Sequence, residues 1–121
     1  MLSASHRLST ATEFQVAVRK GRRAGGPLVV LHLADQYVDK ETSRSVPAEP
    51  ARIGFVVSRA VGNAVTRNRV KRRLRHLVRE RVAALPDGAL LVVRAQPGAA
   101  EASYWDLAAA LDRCLDRVVG S

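Results

Sequence analysis

With 121 residues, 47% hydrophobic and 26% charged, the chain suffices for one domain with a modest core, is too short for two, and is globular rather than disordered in composition. Its 20 Lys and Arg residues against 11 acids give a formal net charge of +9, which points to a polyanionic partner or an anionic membrane. The lone Cys114 excludes an internal disulfide and a cysteine zinc cluster, and reads as a small hydrophobe on a helix face.

Residues 1–8 read as a flexible tail. The opening stretch MLSASHRLSTATEF lacks the apolar centre of a secretory signal, and no apolar run approaches the roughly 18 residues of a membrane span, so the expected location is the cytoplasm. Ser9 or Thr10 caps a first helix running to about Lys20, with Phe14, Ala17 and Val18 as its apolar stripe and Gly21 as its stop. Gly25, Gly26 and Pro27 turn the chain into LVVLHLA (28–34), whose β-branched apolar run predicts a strand. Residues 39–50, DKETSRSVPAEP, lack periodicity and predict a mobile loop. In ARIGFVVS (51–58), Ile53, Phe55 and Val57 alternate with Arg52, Gly54, Val56 and Ser58, the pattern of a second strand.

From about Asn63 to Leu85, the residues Val70, Leu74, Leu77, Val78, Val82 and Leu85 recur at intervals of three and four, which is helical; Pro86, Asp87 and Gly88 end the helix. ALLVVRA (89–95) is a third strand, apolar throughout and therefore central. Ser103 caps a last helix with Tyr104, Leu107, Ala108, Leu111, Leu115 and Val118 as its buried stripe. The predicted order is α-β-β-α-β-α in a single domain spanning 1–121, with no internal repeat.

The charge is not spread evenly. Between Arg59 and Arg81 stand nine Lys or Arg residues and one acid, Glu80, so this span carries +8 and the rest of the chain is nearly neutral. At about 100° per residue, the apolar residues fill one arc, and Arg69, Lys71, Arg72, Arg73, Arg75 and Arg79 spread over the remainder. Like charges at i±4 disfavour such a helix in isolation by roughly a few tenths of a kcal/mol per pair, so a counter-charge from outside the chain is implied. Arg outnumbers Lys 17 to 3, and the planar guanidinium favours bidentate phosphate contact and stacking on bases. The apolar arc is needed for the core and the helix has no Trp or Phe anchor, which favours nucleic acid over a membrane surface. Asn63 fits two roles, a helix cap or a ligand group. Arg67 and Asn68 stand in the first turns, beside the positive helix end where a phosphate is favoured.

The segment RIGFVVSRAVGNAVTRNRVKRRLRHLVRE (52–80) closely resembles the bacterial ribonuclease P protein subunit, in which a strand ending in Val-Ser leads through Gly-Asn-Ala-Val to Arg-Asn-Arg-x-Lys-Arg-x-x-Arg. The resemblance extends, in the same order, to RLSTATEFQVAVRKGRR (7–23), LVVLHL and LLVVRA. It implies an α+β two-layer sandwich with a left-handed βαβ crossover, like domain 2 of ribosomal protein S5, whereas pattern alone predicts a right-handed connection. It further implies a subunit that joins a large catalytic RNA and assists Mg²⁺-dependent removal of the 5′ leader from precursor tRNA, with the RNA and its Mg²⁺ ions performing the chemistry. On this resemblance Arg67, Asn68, Arg69, Lys71, Arg72 and Arg75 lie against the catalytic RNA, with Arg59 and Asn63 nearby. The family's cleft between the first helix and the sheet implies leader contacts at Phe14, Val18, Leu31 and Arg94. Phe14 matches an aromatic of that cleft and serves either as a base-stacking surface or as a core anchor. Val18 and Leu31 stand where many members have further aromatics, and Arg94 matches a basic position.

An active site in the protein itself needs an acid and a base. His6 falls in the tail, His32 in a strand and His76 on the outward helix face, and no spacing brings two together. Asp112 and Asp116, one turn apart, read as a solvated pair rather than a metal site. The expectation is therefore a protein without catalytic residues, metal site, small-molecule cofactor or membrane partner of its own. Its expected partners are the catalytic RNA and precursor tRNA.

Overall fold

The computed structural model describes residues 21–34, 51–86 and 88–119. The predicted first helix with Phe14 and Val18, the 1–8 tail and the 39–50 loop lie outside these residues. The described chain runs β1 (Arg22–Gly25), β2 (Val29–Ala34), β3 (Arg52–Val56), α1 (Ala64–Arg79), β4 (Leu90–Ala95) and α2 (Tyr104–Val119), with short 3-10 turns at Val82–Ala84 and Pro97–Ala100.

Strand β1 is an addition to the predicted order. RRAG has little strand propensity, yet Arg22 to Gly25 pair antiparallel with Leu33 to Val30. The tight turn that folds them back is closed by the Gly26 N–H donating to the Val29 carbonyl at 3.0 Å. What selects this strand is the row of backbone donors and acceptors along the exposed edge of β2, not its own side chains. The sheet order is β1-β2-β4-β3. Strands β3 and β4 are parallel neighbours, with Arg52 opposite Leu90 and Val56 opposite Arg94. A parallel pair cannot be closed by a hairpin, so the chain crosses over through α1.

One face of the sheet and the two helices share a single apolar core. Val29, Leu31 and Leu33 of β2, Leu91 and Val93 of β4 and Ile53 of β3 meet Val70, Leu74, Leu77 and Val78 of α1 and Leu107, Leu111 and Leu115 of α2. Each fully buried Leu of this set stabilises the fold by about 1.5–3 kcal/mol relative to exposure. Val30, Ala34, Leu90 and Val92, which point to the other face, are buried as well, so β2 and β4 are covered on both faces, as central strands are, with Arg94 the exposed exception. Cys114 belongs to the core, 4% exposed, and burial pushes its thiol pKa up.

Two predicted helices need correction at their ends. α1 stops at Arg79 rather than near Leu85: the Arg81 N–H reaches back three residues to the Val78 carbonyl, and a 3-10 turn follows at Val82–Ala84. Tighter i→i+3 bonding of this kind satisfies the last carbonyls of a helix, and it still lets Leu85 enter the core. In α2 the predicted stripe is buried except at Tyr104, which is only partly covered.

Candidate nucleic-acid interface

The strand-to-helix turn sets the position of α1. The Val61 and Gly62 N–H groups donate to the carbonyls of Ser58 and Arg59 at 3.1 and 3.2 Å, and Val61 is buried beneath them. Gly62 has φ +154°, which strains any L side chain, and a Cβ there would crowd Thr66 Cγ2 at 3.0 Å, so glycine suits this turn. Asn63 is the N-cap: its side-chain oxygen accepts the Thr66 N–H at 2.9 Å, and its carbonyl accepts the Arg67 N–H at 2.9 Å. No acid stands in the first turn, so the positive end of the helix keeps its field.

The seven Lys and Arg residues of α1 divide into groups with different partners. On one flank, Arg69 Nη2 donates to the Ala100 carbonyl at 2.8 Å and Arg73 Nη1 to the Ala102 carbonyl at 3.2 Å, tying α1 to the segment that leads into α2. His76 continues this flank, 3.4 Å from Glu80 and 6.0 Å from the Tyr104 ring. Just beyond the helix, Arg81 donates to the Leu77 carbonyl at 2.9 Å and makes a two-pronged contact with Asp112. Hydrogen bonding to Asp112 raises the Arg81 pKa above its usual range. Asp112 is therefore an ion-pair partner and not half of a purely solvated pair. Arg69, predicted as an RNA contact, already holds the fold together through one of its five N–H groups, which leaves donors for a second partner.

On the other flank, Arg67, Lys71 and Arg75 follow one another at i, i+4 and i+8, with Asn68 and Arg72 turned outward between the flanks. None of these four cations makes a hydrogen bond or ion pair among the described residues. Arg67, Asn68 and Lys71 line a hollow of about 200 Å³ with Val57 and Ala64, where β3 runs out beside the helix. Arg67 Nε is buried in this region and has no hydrogen-bond partner. An orphaned, permanently charged donor beside an open hollow is a place for an anionic oxygen. Arg59 is exposed in the turn below the helix start.

The predicted leader contacts do not share one surface. Arg94 is exposed on β4, opposite Val30 of β2 and Val56 of β3. Leu31 is 0% exposed and faces the helices within the core, which corrects its assignment to a nucleotide contact. Strand alternation turns His32, one residue further on, to the Arg94 face. His32 stands directly across from Arg23 of β1. Burial, together with the fields of Arg23 and Arg94, holds the His32 pKa below its usual value, and its buried Nδ1 has no hydrogen-bond partner. Sequence pattern did not reveal that Arg23 and Arg94 both act on His32; the register of β1 on β2 and of β2 on β4 does. Among the described residues no three His, Cys, Asp or Glu side chains converge, and no helix is long and apolar enough to cross a membrane.

Comparison with known proteins agrees with this geometry. The chain is 58% identical over 118 residues to the ribonuclease P protein component of a Nocardioides species, covering 98% of this chain and 95% of that one. It is 54% identical to the component of Streptomyces avermitilis, covering 99% and 97%. Solved structures of the RNase P proteins of Staphylococcus aureus (TM-score 0.75, 23% identity, 93% and 94% coverage) and Thermotoga maritima (TM-score 0.72, 24% identity, 93% and 96% coverage) share its α+β fold. The profile described as Ribonuclease P matches residues 2–119, and with these relatives it shows that the chain belongs to the ribonuclease P protein family.

Proposed function

We propose that this chain is the protein subunit of a ribonucleoprotein endonuclease that removes the 5′ leader of precursor tRNA, leaving a 5′-phosphate on the mature tRNA. The observation that carries the reading is the flank of α1 at Arg67, Asn68 and Lys71, with an orphaned Arg67 donor beside an open hollow. The catalytic RNA lies along this flank and along Arg72 and Arg75, with Arg59 and the capped helix start at Asn63 at its border. Its phosphates supply the counter-charge that the helix lacks. The leader of precursor tRNA passes over the opposite sheet face, where Arg94 meets phosphate and Arg23, across His32, adds to the positive field. Phe14 and Val18 are leader contacts on the same proposal.

On this reading the Mg²⁺ that supports hydrolysis is held mainly by the catalytic RNA. What the protein contributes is charge and position: it neutralises phosphates of two RNAs and holds the leader relative to the cleavage site. A cytoplasmic location fits these partners.

Reconstitution with a bacterial ribonuclease P RNA at low Mg²⁺ tests the reading. The protein is expected to restore cleavage and to cleave nothing alone. Protein-only cleavage leaving 2′,3′-cyclic ends would assign the chemistry to its histidines. Tight binding to ribosomal RNA without stimulation of cleavage would make it a general RNA-binding protein. Arg94→Ala should weaken precursor tRNA more than mature tRNA; equal weakening would remove Arg94 from the leader path.

A further inference from the structure

Trp105, the chain's only tryptophan, is 77% exposed at the second residue of α2. It is not isolated. Tyr104 meets it edge to face, with ring centroids 5.5 Å and planes 85° apart, and the other neighbour of Tyr104 is the His76 ring of α1 at 6.0 Å. The backbone beneath the group is fixed from three directions. Arg69 and Arg73 hold the carbonyls of Ala100 and Ala102, and Ser103 Oγ accepts the Asp106 N–H at 3.0 Å. A large ring presented to water on a rigid support loses little freedom when something covers it.

We propose that Trp105, braced by Tyr104, is a stacking surface for an unpaired nucleotide of the catalytic RNA, an inference that rests on the function proposed above. Charge selects the occupant, because the helix to which the surface is tied carries seven Lys and Arg residues and no acid. Position selects the catalytic RNA over the leader: α1 and α2 pack on the sheet face opposite the one that bears Arg94. A leader on the Arg94 face is separated from Trp105 by the sheet, whereas an RNA that crosses α1 from the Arg67 flank over the outward Arg72 to the Arg69 and Arg73 flank comes onto the segment that carries Trp105. Asp106, the next residue of the helix, is exposed and disfavours a phosphate close by, which leaves an uncharged base as the moiety that stacks. Every base has a face that an indole accepts, so the contact adds affinity with little demand on sequence.

A single tryptophan makes the test direct. The full chain is titrated with a bacterial ribonuclease P RNA while Trp emission and filter retention are followed together. Emission is expected to quench in step with binding and to saturate at one RNA per protein. Trp105→Ala should lower affinity about fivefold or more at every salt concentration without changing the slope against log[salt], because stacking releases no counterions. Trp105→Phe should retain most of the affinity. Thermal unfolding should be the same for all three proteins, since the ring is outside the core. Binding with silent emission, or wild-type affinity in Trp105→Ala, overturns the inference and leaves the proposed function standing. An emission change that follows protein concentration without RNA would assign the surface to a second copy of the chain and overturn it equally. Failure of the RNA to bind at all would remove the proposed function and this inference together.

Discussion

Helices α1 and α2 form a controlled comparison. Each has 16 residues, each begins with a side-chain cap, and each buries one face in the same core. Their outer faces differ. α1 carries seven cations and no acid, whereas α2 sets Asp106, Asp112 and Asp116 against Arg113 and Arg117. Packing explains both inner faces and neither outer one. A charged face that meets only solvent mixes its signs, as that of α2 does from Asp106 to Arg117; a one-signed face costs self-repulsion that only an external polyanion offsets. The cations of α1 show a second division, between Arg69 and Arg73, which hold the fold through Ala100 and Ala102, and Arg67 and Lys71, which line the open hollow.

The largest expected effect tests the equality of the inner faces. Leu74→Ala in α1 and Leu111→Ala in α2, both 0% exposed, should each cost about 2–5 kcal/mol in urea unfolding. A much smaller cost on one side would mean that the two helices do not share one core.

The outer faces come next. Replacing Arg67 and Lys71 together by Ala should lower affinity for the catalytic RNA by about 10- to 100-fold at low salt. The slope against log[salt] should fall by roughly 0.9 for each phosphate that the protein no longer neutralises. Arg113→Ala, on the mixed face of α2, should change neither quantity; if it does, the difference between the helices is not the interface.

The caps give a smaller effect, equal on both sides. Asn63→Ala and Ser103→Ala should each cost about 1 kcal/mol of stability. If Asn63→Ala also weakens RNA binding under conditions where the protein stays folded, Asn63 is a ligand group as well as a cap.

The smallest effect lies outside both helices. The folded-state pKa of His32 is held below 6.5, so below pH 6.5 the unfolded chain binds a proton that the folded one refuses. Stability should therefore fall as pH drops through 6.5 toward the lowered pKa and be insensitive to His32 above it. His32→Gln, compared with the wild type at pH 7.5 and 5.5, should remove that part of the pH dependence. An unchanged dependence would show that His32 titrates freely.

Both described helices, three of the four strands, the cap residues and the one-signed face were legible in the order of residues, because each depends on neighbours three or four positions away or on simple alternation. The kinship in residues 52–80 was legible for the same reason, being carried by contiguous residues. Tertiary structure decided the rest. LVVLHLA is apolar on both faces, so alternation alone does not say which of Leu31 and His32 looks toward the helices; strand register does. RRAG became a strand because a neighbouring edge needed partners. Arg69 reaches a carbonyl 31 residues away, and Arg23 joins His32 and Arg94 only through the pairing of three strands. Local periodicity records which face of an element is oily. Which groups meet across the fold depends on how distant segments dock, and no local pattern carries that.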